Sequence, residues 1–150
     1  MLLQELELHR HEKALEIGTG SGFMAALMAH KAQQVVTYEK RPELVAMARE
    51  NLRHAAVMNV EVRQGDGANG DAGRGPWDAI VLSGSVPEVP KALLQQLKVG
   101  GRLVAVVGDE PMMRALRVRR VSERDFTTEV LFDTVAPRLE GFAQPSSFKF

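Results

Sequence analysis

The run Glu16-Ile17-Gly18-Thr19-Gly20-Ser21-Gly22 constrains this chain more than any other segment. Glycines at alternate positions permit a tight turn and leave bare backbone where a Cβ would collide with an approaching group. Upstream, Lys13-Ala14-Leu15-Glu16-Ile17 reads as a brief strand. Downstream, Phe23 to His30 is an apolar run with no breaker, which predicts a helix. A strand, a glycine turn and a helix in that order open a βαβ unit, and the helix start aims free N–H groups at whatever binds there.

The rest of the chain repeats the rhythm. Leu2, Leu3, Leu6 and His9 at helical spacing predict a short amphipathic helix over residues 2–9. Gln34 to Glu39 is β-branched and aromatic, a second strand. A helix starts at Arg41-Pro42-Glu43 and buries Val45, Ala48 and Leu52. Val60 to Gln64 alternates as a third strand and ends at Gly65-Asp66-Gly67; Ala68 to Pro76 reads as a loop. Trp77 to Leu82 is the fourth strand. Pro90 opens a helix carrying Leu93, Leu94 and Leu97 that stops at Gly100-Gly101, and Arg102 to Val107 is the fifth strand. Then the period changes. Leu116 and Val118 alternate with Arg117 and Arg119, Phe126 to Val135 is extended, and Ser122 to Asp125 turns between them. The tail from Ala136 to Phe150 has no clear period. The expected fold is α/β and Rossmann-like: one domain, a mostly parallel sheet with helices on both faces, and an antiparallel C-terminal strand pair.

In such sheets ligands bind at the carboxyl ends of the strands, beside loops 18–22, 39–42, 65–68 and 83–88. Glu39 ends the second strand, where an acid accepts hydrogen bonds from ribose hydroxyls. The loop spacing is G-x-G-x-G rather than the G-x-G-x-x-G of dinucleotide sites, and Glu16 is a poor neighbour for a diphosphate. Asp66 supplies an acceptor for an adenine amino group. Three acids and no basic residue around the pocket favour S-adenosyl-L-methionine (AdoMet), which carries a sulfonium and an ammonium, over NAD. Glu16 either orients the glycine loop or touches the ligand. Ser83 stands on the rim or caps the following turn, and Lys40 flanks the adenosine by position or is merely exposed.

The sequence is 150 residues long with no cysteine, which excludes thiol redox, zinc-ribbon and Cys-nucleophile chemistry. Nineteen basic residues balance nineteen acidic ones, so no global charge draws nucleic acid or an anionic membrane. No apolar run approaches the roughly 20 residues of a membrane helix, and acids stand where a signal peptide carries basic residues. A cytoplasmic setting is expected. The four histidines show no ligand spacing, and Arg114, Arg117, Arg119, Arg120 and Arg124 read as the solvated face of an edge strand.

Glu16 to Gly22, Glu39, Gly65-Asp66-Gly67, Pro76 to Ile80 and Leu97 to Leu103 resemble the successive motifs of class I AdoMet-dependent methyltransferases. Within that superfamily, EIGTGSGF, GDG, PWDAIVLSGSVPEVP and the Gly-Gly loop resemble protein-L-isoaspartate O-methyltransferase, from about Leu2 to about Leu139. The resemblance implies methyl transfer to the carboxylate of L-isoaspartyl residues, a protein-repair step, with isoaspartyl peptides or proteins as acceptor partners and neither nucleic acid nor membrane. It implies AdoMet contacts at Glu16, Gly18, Thr19, Gly20, Ser21, Gly22, Glu39, Lys40, Gly65, Asp66, Gly67 and Ser83, and no metal. Family members carry a further N-terminal region whose Gly-Gln-Thr-type loop holds the acceptor carboxylate. This chain has no position onto which that loop maps, so a domain truncated at its N-terminus is expected, with no catalytic residue named and turnover close to absent. Apolar surface left bare, including the Leu2–Leu6 helix, is expected to favour self-association. The alternatives are a binding module without catalysis and an NAD-linked oxidoreductase.

Overall fold

The computed structural model describes residue 4 and residues 6–142. Its elements run β1 (Lys13–Ile17), α1 (Phe23–Ala29), β2 (Gln34–Glu39), α2 (Pro42–His54), β3 (Val60–Gln64), a 3-10 turn (Gly67–Asn69), β4 (Trp77–Val86), α3 (Lys91–Leu94), β5 (Leu97–Asp109), β6 (Met112–Arg120) and β7 (Phe126–Thr134). One sheet takes all seven strands in the order β3-β2-β1-β4-β5-β6-β7. The pairs among β1 to β5 are parallel, whereas β5–β6 and β6–β7 are antiparallel. This is the expected α/β architecture, down to the C-terminal pair.

Strand alternation builds two cores. Leu15, Ile17, Val36, Ile80, Leu82, Leu103 and Ala105 face one side, with Leu93 of α3 and Trp77. Ala14, Val35, Ala79, Val81 and Val104 face the other, under Ala25, Met28 and Ala29 of α1. Val45, Ala48 and Leu52 of α2 extend that second layer over Val62. Because helices press on both faces, the central strands have no polar side to spare.

Three expectations need correction. The helix after Pro90 ends at Leu94, and Leu97 belongs to β5, where it pairs with Trp77. Leu97 and Trp77 are each 1 % exposed, and a helix continued to Gly100 would draw Leu97 out of that contact. Gly101 instead lies so close to the carbonyls of Trp77, Asp78 and Lys98 that a Cβ would fall 2.9–3.0 Å from them. The pair Gly100-Gly101 is therefore an irregularity within a strand. The segment read as loop 68–76 begins with the 3-10 turn, which the Asp66 carboxylate caps at Ala68 N–H. Finally, Gln4 and Leu6 are helical, but Leu6 has no exposed surface, contrary to the bare face expected there. The Arg102 guanidinium, itself buried, donates to the Leu6 carbonyl and pins it. Leu2 and Leu3 lie outside the described residues.

Candidate functional site

The strand order reverses at β1: β2 and β3 go to one side, β4 and β5 to the other. At the carboxyl ends beside this reversal lies a cleft of about 200 Å³. Of the twelve residues expected there, Gly18, Gly20, Glu39, Lys40, Gly65, Asp66, Gly67 and Ser83 line it; Glu16, Thr19, Ser21 and Gly22 do not.

Glu39 is 8 % exposed and ties the rim together. Its Oε1 accepts from the Gly20 N–H at 3.0 Å and its Oε2 from the Arg41 N–H at 3.1 Å. Each carboxylate oxygen has a second lone pair, so the group retains acceptor capacity toward the cleft. Gly20 has φ +56°, a left-handed value that favours glycine, and a Cβ there would meet nothing within 4 Å. Its open face is what the sequence expectation required. Gly67 is tight for a different reason: a Cβ would fall 2.8 Å from Ile17 Cδ1.

The four residues off the lining hold the loop up from behind. Glu16 is fully buried. Its Oε1 accepts from the Thr37 hydroxyl at 2.7 Å and its Oε2 from the Ser83 hydroxyl. Thr37 in turn bonds the Thr19 hydroxyl at 2.6 Å. Burial pushes the Glu16 carboxyl up to about 7; the Ser83 and Thr37 hydrogen bonds oppose this and the Glu39 charge adds to it. The Ser21 carbonyl accepts from Asn51 of α2, and Gly22 packs against Ala48, where a Cβ would come within 3.4 Å.

The structure adds residues that the sequence reading did not reach. Ile17, Tyr38 and Arg41 line the cleft, as do Arg138, Leu139 and Glu140 of the tail. Tyr38 donates its hydroxyl to Asp71 Oδ2 at 2.7 Å, and its carbonyl accepts from the N–H groups of Gly18 and Thr19. Burial and the Asp71 carboxylate push its phenol pKa up. The tail straps across the mouth: Ser85 N–H donates to the Pro137 carbonyl at 2.7 Å, and Leu139 N–H to the Ser85 carbonyl at 2.8 Å. Leu139 fills the space beside Gly18, where a Cβ would fall 2.7 Å from its Cδ2. Tyr38 was discoverable as the neighbour of Glu39. The strap carries no periodic signal.

The charge of the lining also differs from expectation. Lys40, Arg41 and Arg138 join Glu39, Asp66 and Glu140, so the pocket is not free of basic residues. Arg41 is paired with Glu140, and Arg138 with Asp109. The strap brings Arg138 and Glu140 to the cleft, Glu140 pairing with Arg41 across 99 residues of chain, which no local reading anticipates. Among the described residues no group of three His, Asp or Glu could hold a metal ion.

The model of the family Protein-L-isoaspartate(D-aspartate) O-methyltransferase matches residues 1–137. The chain belongs to this family. Similar relatives include protein-L-isoaspartate O-methyltransferase of Methanoculleus marisnigri, 48 % identical over 72 % of this chain and 49 % of the relative. Protein-L-isoaspartate O-methyltransferase 1 of Geotalea uraniireducens is 43 % identical over 87 % of this chain and 60 % of the relative. The chain thus spans about half to three-fifths of these relatives' length. A solved protein-L-isoaspartate O-methyltransferase superposes with a TM-score of 0.83 at 27 % identity, covering 93 % of this chain and 46 % of that one. The fold is the Rossmann-like one of class I methyltransferases. A Plasmodium falciparum structure described as a putative member in complex with S-adenosyl-L-homocysteine shares the fold, with a TM-score of 0.77 at 20 % identity over 93 % of this chain and 69 % of that one. Family membership favours neither the NAD-linked oxidoreductase nor the inert binding module. No described helix is long and apolar enough to cross a membrane.

Proposed function

We propose that the described residues form the donor-binding domain of an AdoMet-dependent methyltransferase acting on the carboxylate of L-isoaspartyl residues in proteins. The observation that carries this reading is the Glu39 carboxylate, buried at the end of β2 and facing the open Gly20 backbone in a family of isoaspartyl methyltransferases. AdoMet, when bound, supplies an activated methyl group on a sulfonium.

The chain's own residues divide the remaining work. Glu39 offers its spare lone pairs to two ribose hydroxyls. Ile17, Tyr38 and the glycines at 65 and 67 give the adenosine an apolar slot, and Asp66 offers an acceptor at its edge. Lys40 stands at the same rim. Gly20 lets backbone approach the ligand and Gly18 leaves room for Leu139, while Glu16, Thr19, Ser21 and Gly22 hold that backbone in place. Leu139 and the strap cover the cleft and exclude water that would compete for the methyl group. The acceptor is already an ionised carboxylate, so alignment rather than a general base is what the protein must provide.

Isoaspartyl proteins are the partners in this reading, in the cytoplasm and without nucleic acid. The arginine pairings support the last point: Arg117 meets Glu7 and Glu129, and Arg120 meets the carbonyls of Gln95 and Leu97. Calorimetry on this chain should show S-adenosylhomocysteine binding and no NADH binding. Labelled methyl transfer from AdoMet should be close to absent on this chain alone, and should appear on an isoaspartyl peptide, not on its aspartyl counterpart, once the family's N-terminal acceptor region is supplied. NADH binding in preference to S-adenosylhomocysteine would overturn the proposal.

A further inference from the structure

We propose that Glu16 and Ser83 together make the cleft selective for a cationic ligand, Ser83 as the group that meets it and Glu16 as the positioning residue that sets which way the Ser83 hydroxyl points. The inference rests on the reading of the cleft as the donor site.

A hydroxyl has one proton and two lone pairs. Thr37 gives its proton to Glu16 Oε1, so Thr19 must donate to Thr37. Ser83 gives its proton to Glu16 Oε2. While Glu16 is ionised, the Ser83 proton is thus turned inward, and on this residue of the cleft lining the hydroxyl oxygen has only lone pairs left to offer. That is an acceptor suited to an ammonium or a sulfonium. A protonated Glu16 has a proton of its own to place, and the hydroxyl that receives it must turn its proton elsewhere. For Ser83 that direction is the cleft, and the same atom then repels the cation.

Burial places this change near neutral pH, with the carboxyl at about 7. The groups packed around Glu16 are the hydroxyls of Thr37 on β2 and of Ser83 on β4, and the Glu39 carboxylate at the end of β2. Across the cleft stand Asp66, Lys40 and the paired Arg41–Glu140 and Arg138; no histidine lines it. A cation in the cleft favours ionised Glu16, so its binding releases a proton. Affinity for a cationic ligand should rise as pH climbs through about 7 and level off above.

The test compares AdoMet with 5′-methylthioadenosine, an uncharged nucleoside thioether, by calorimetry on the full chain at pH values on either side of about 7, in buffers of differing ionisation enthalpy. The expected result is a pH-dependent AdoMet affinity with proton release and a flat methylthioadenosine profile. Glu16→Gln keeps the shape but removes the charge that holds the Ser83 proton inward, and should cut the preference for AdoMet over methylthioadenosine about tenfold. Ser83→Ala, on the rim, should do the same if Glu16→Gln fails to fold. Two ligands that bind with flat profiles, and an unchanged preference in the variants, would overturn this inference and leave the donor site standing. Failure of both ligands to bind would overturn the donor site and the inference with it.

Discussion

At the scale of single residues, two acids on neighbouring strands, Glu16 of β1 and Glu39 of β2, are treated oppositely. Glu39 faces the cleft with each oxygen on a backbone N–H, so removing it costs both the loop's geometry and the acceptor for a ligand. Glu39→Ala should weaken S-adenosylhomocysteine binding at least about tenfold, read by calorimetry. Glu16 is buried with only hydroxyls to hold its charge. Its carboxyl titrates near 7 in the folded chain against an ordinary 4.5, so the folded state binds the extra proton between those values. Stability should therefore fall as pH rises through that window, by roughly 3 kcal/mol in all. Glu16→Gln should abolish that slope and be the more stable protein above pH 7, as urea midpoints at about pH 5 and about pH 8 will show. Glu16 thus destabilises the fold when charged, and it lies behind the cleft lining with its carboxylate on the Ser83 hydroxyl.

At the scale of elements, two long-range ties decide what the periodic segments do. Arg102 on β5 grips Glu12 with two hydrogen bonds, 2.7 and 2.9 Å, and the Glu7 carbonyl at 2.6 Å. Burial alone would raise the Glu12 carboxyl, but the Arg102 hydrogen bond and charge, with the His9 N–H, outweigh it and hold it below 4.5. The pair's contribution is thus present above 4.5 and is lost as pH falls through the lowered folded value. Arg102→Met leaves Glu12 buried without its partner and should cost about 3–5 kcal/mol in a denaturation experiment. The second tie is the strap. A Cβ on Gly84 would come 2.8 Å from Leu139 and 3.0 Å from the Pro137 carbonyl. Gly84→Ala should therefore detach residues 137–139, seen as lost hydrogen-exchange protection at the Leu139 amide while β4 stays protected.

At the scale of the molecule, the sheet ends on β7, whose outer edge pairs with no described strand. Val130 is 52 % exposed and Val135 55 %, with Phe132 and Met112 also bare. Phe23, Met58 and Val99 are bare elsewhere and Leu6 is buried, but this flank carries exposed apolar side chains in a row. Association in solution should follow it: sedimentation should show larger species as concentration rises, and Val130→Lys should suppress them.

The sequence by itself determined the order and type of nearly every element, because a period of two or of 3.6 and a glycine turn are local facts. It located Glu39 and the glycine rim, because in an open parallel sheet the strand ends converge wherever the order reverses. It could not place Leu97, whose helical spacing with Leu93 and Leu94 lost to a strand contact with Trp77. Nor could it show that Glu16 is sealed behind Thr37 and Ser83, or that Arg138 to Glu140 return to the cleft. Those outcomes depend on which distant atoms reach each other after the sheet has twisted and packed, and only the tertiary structure decides that.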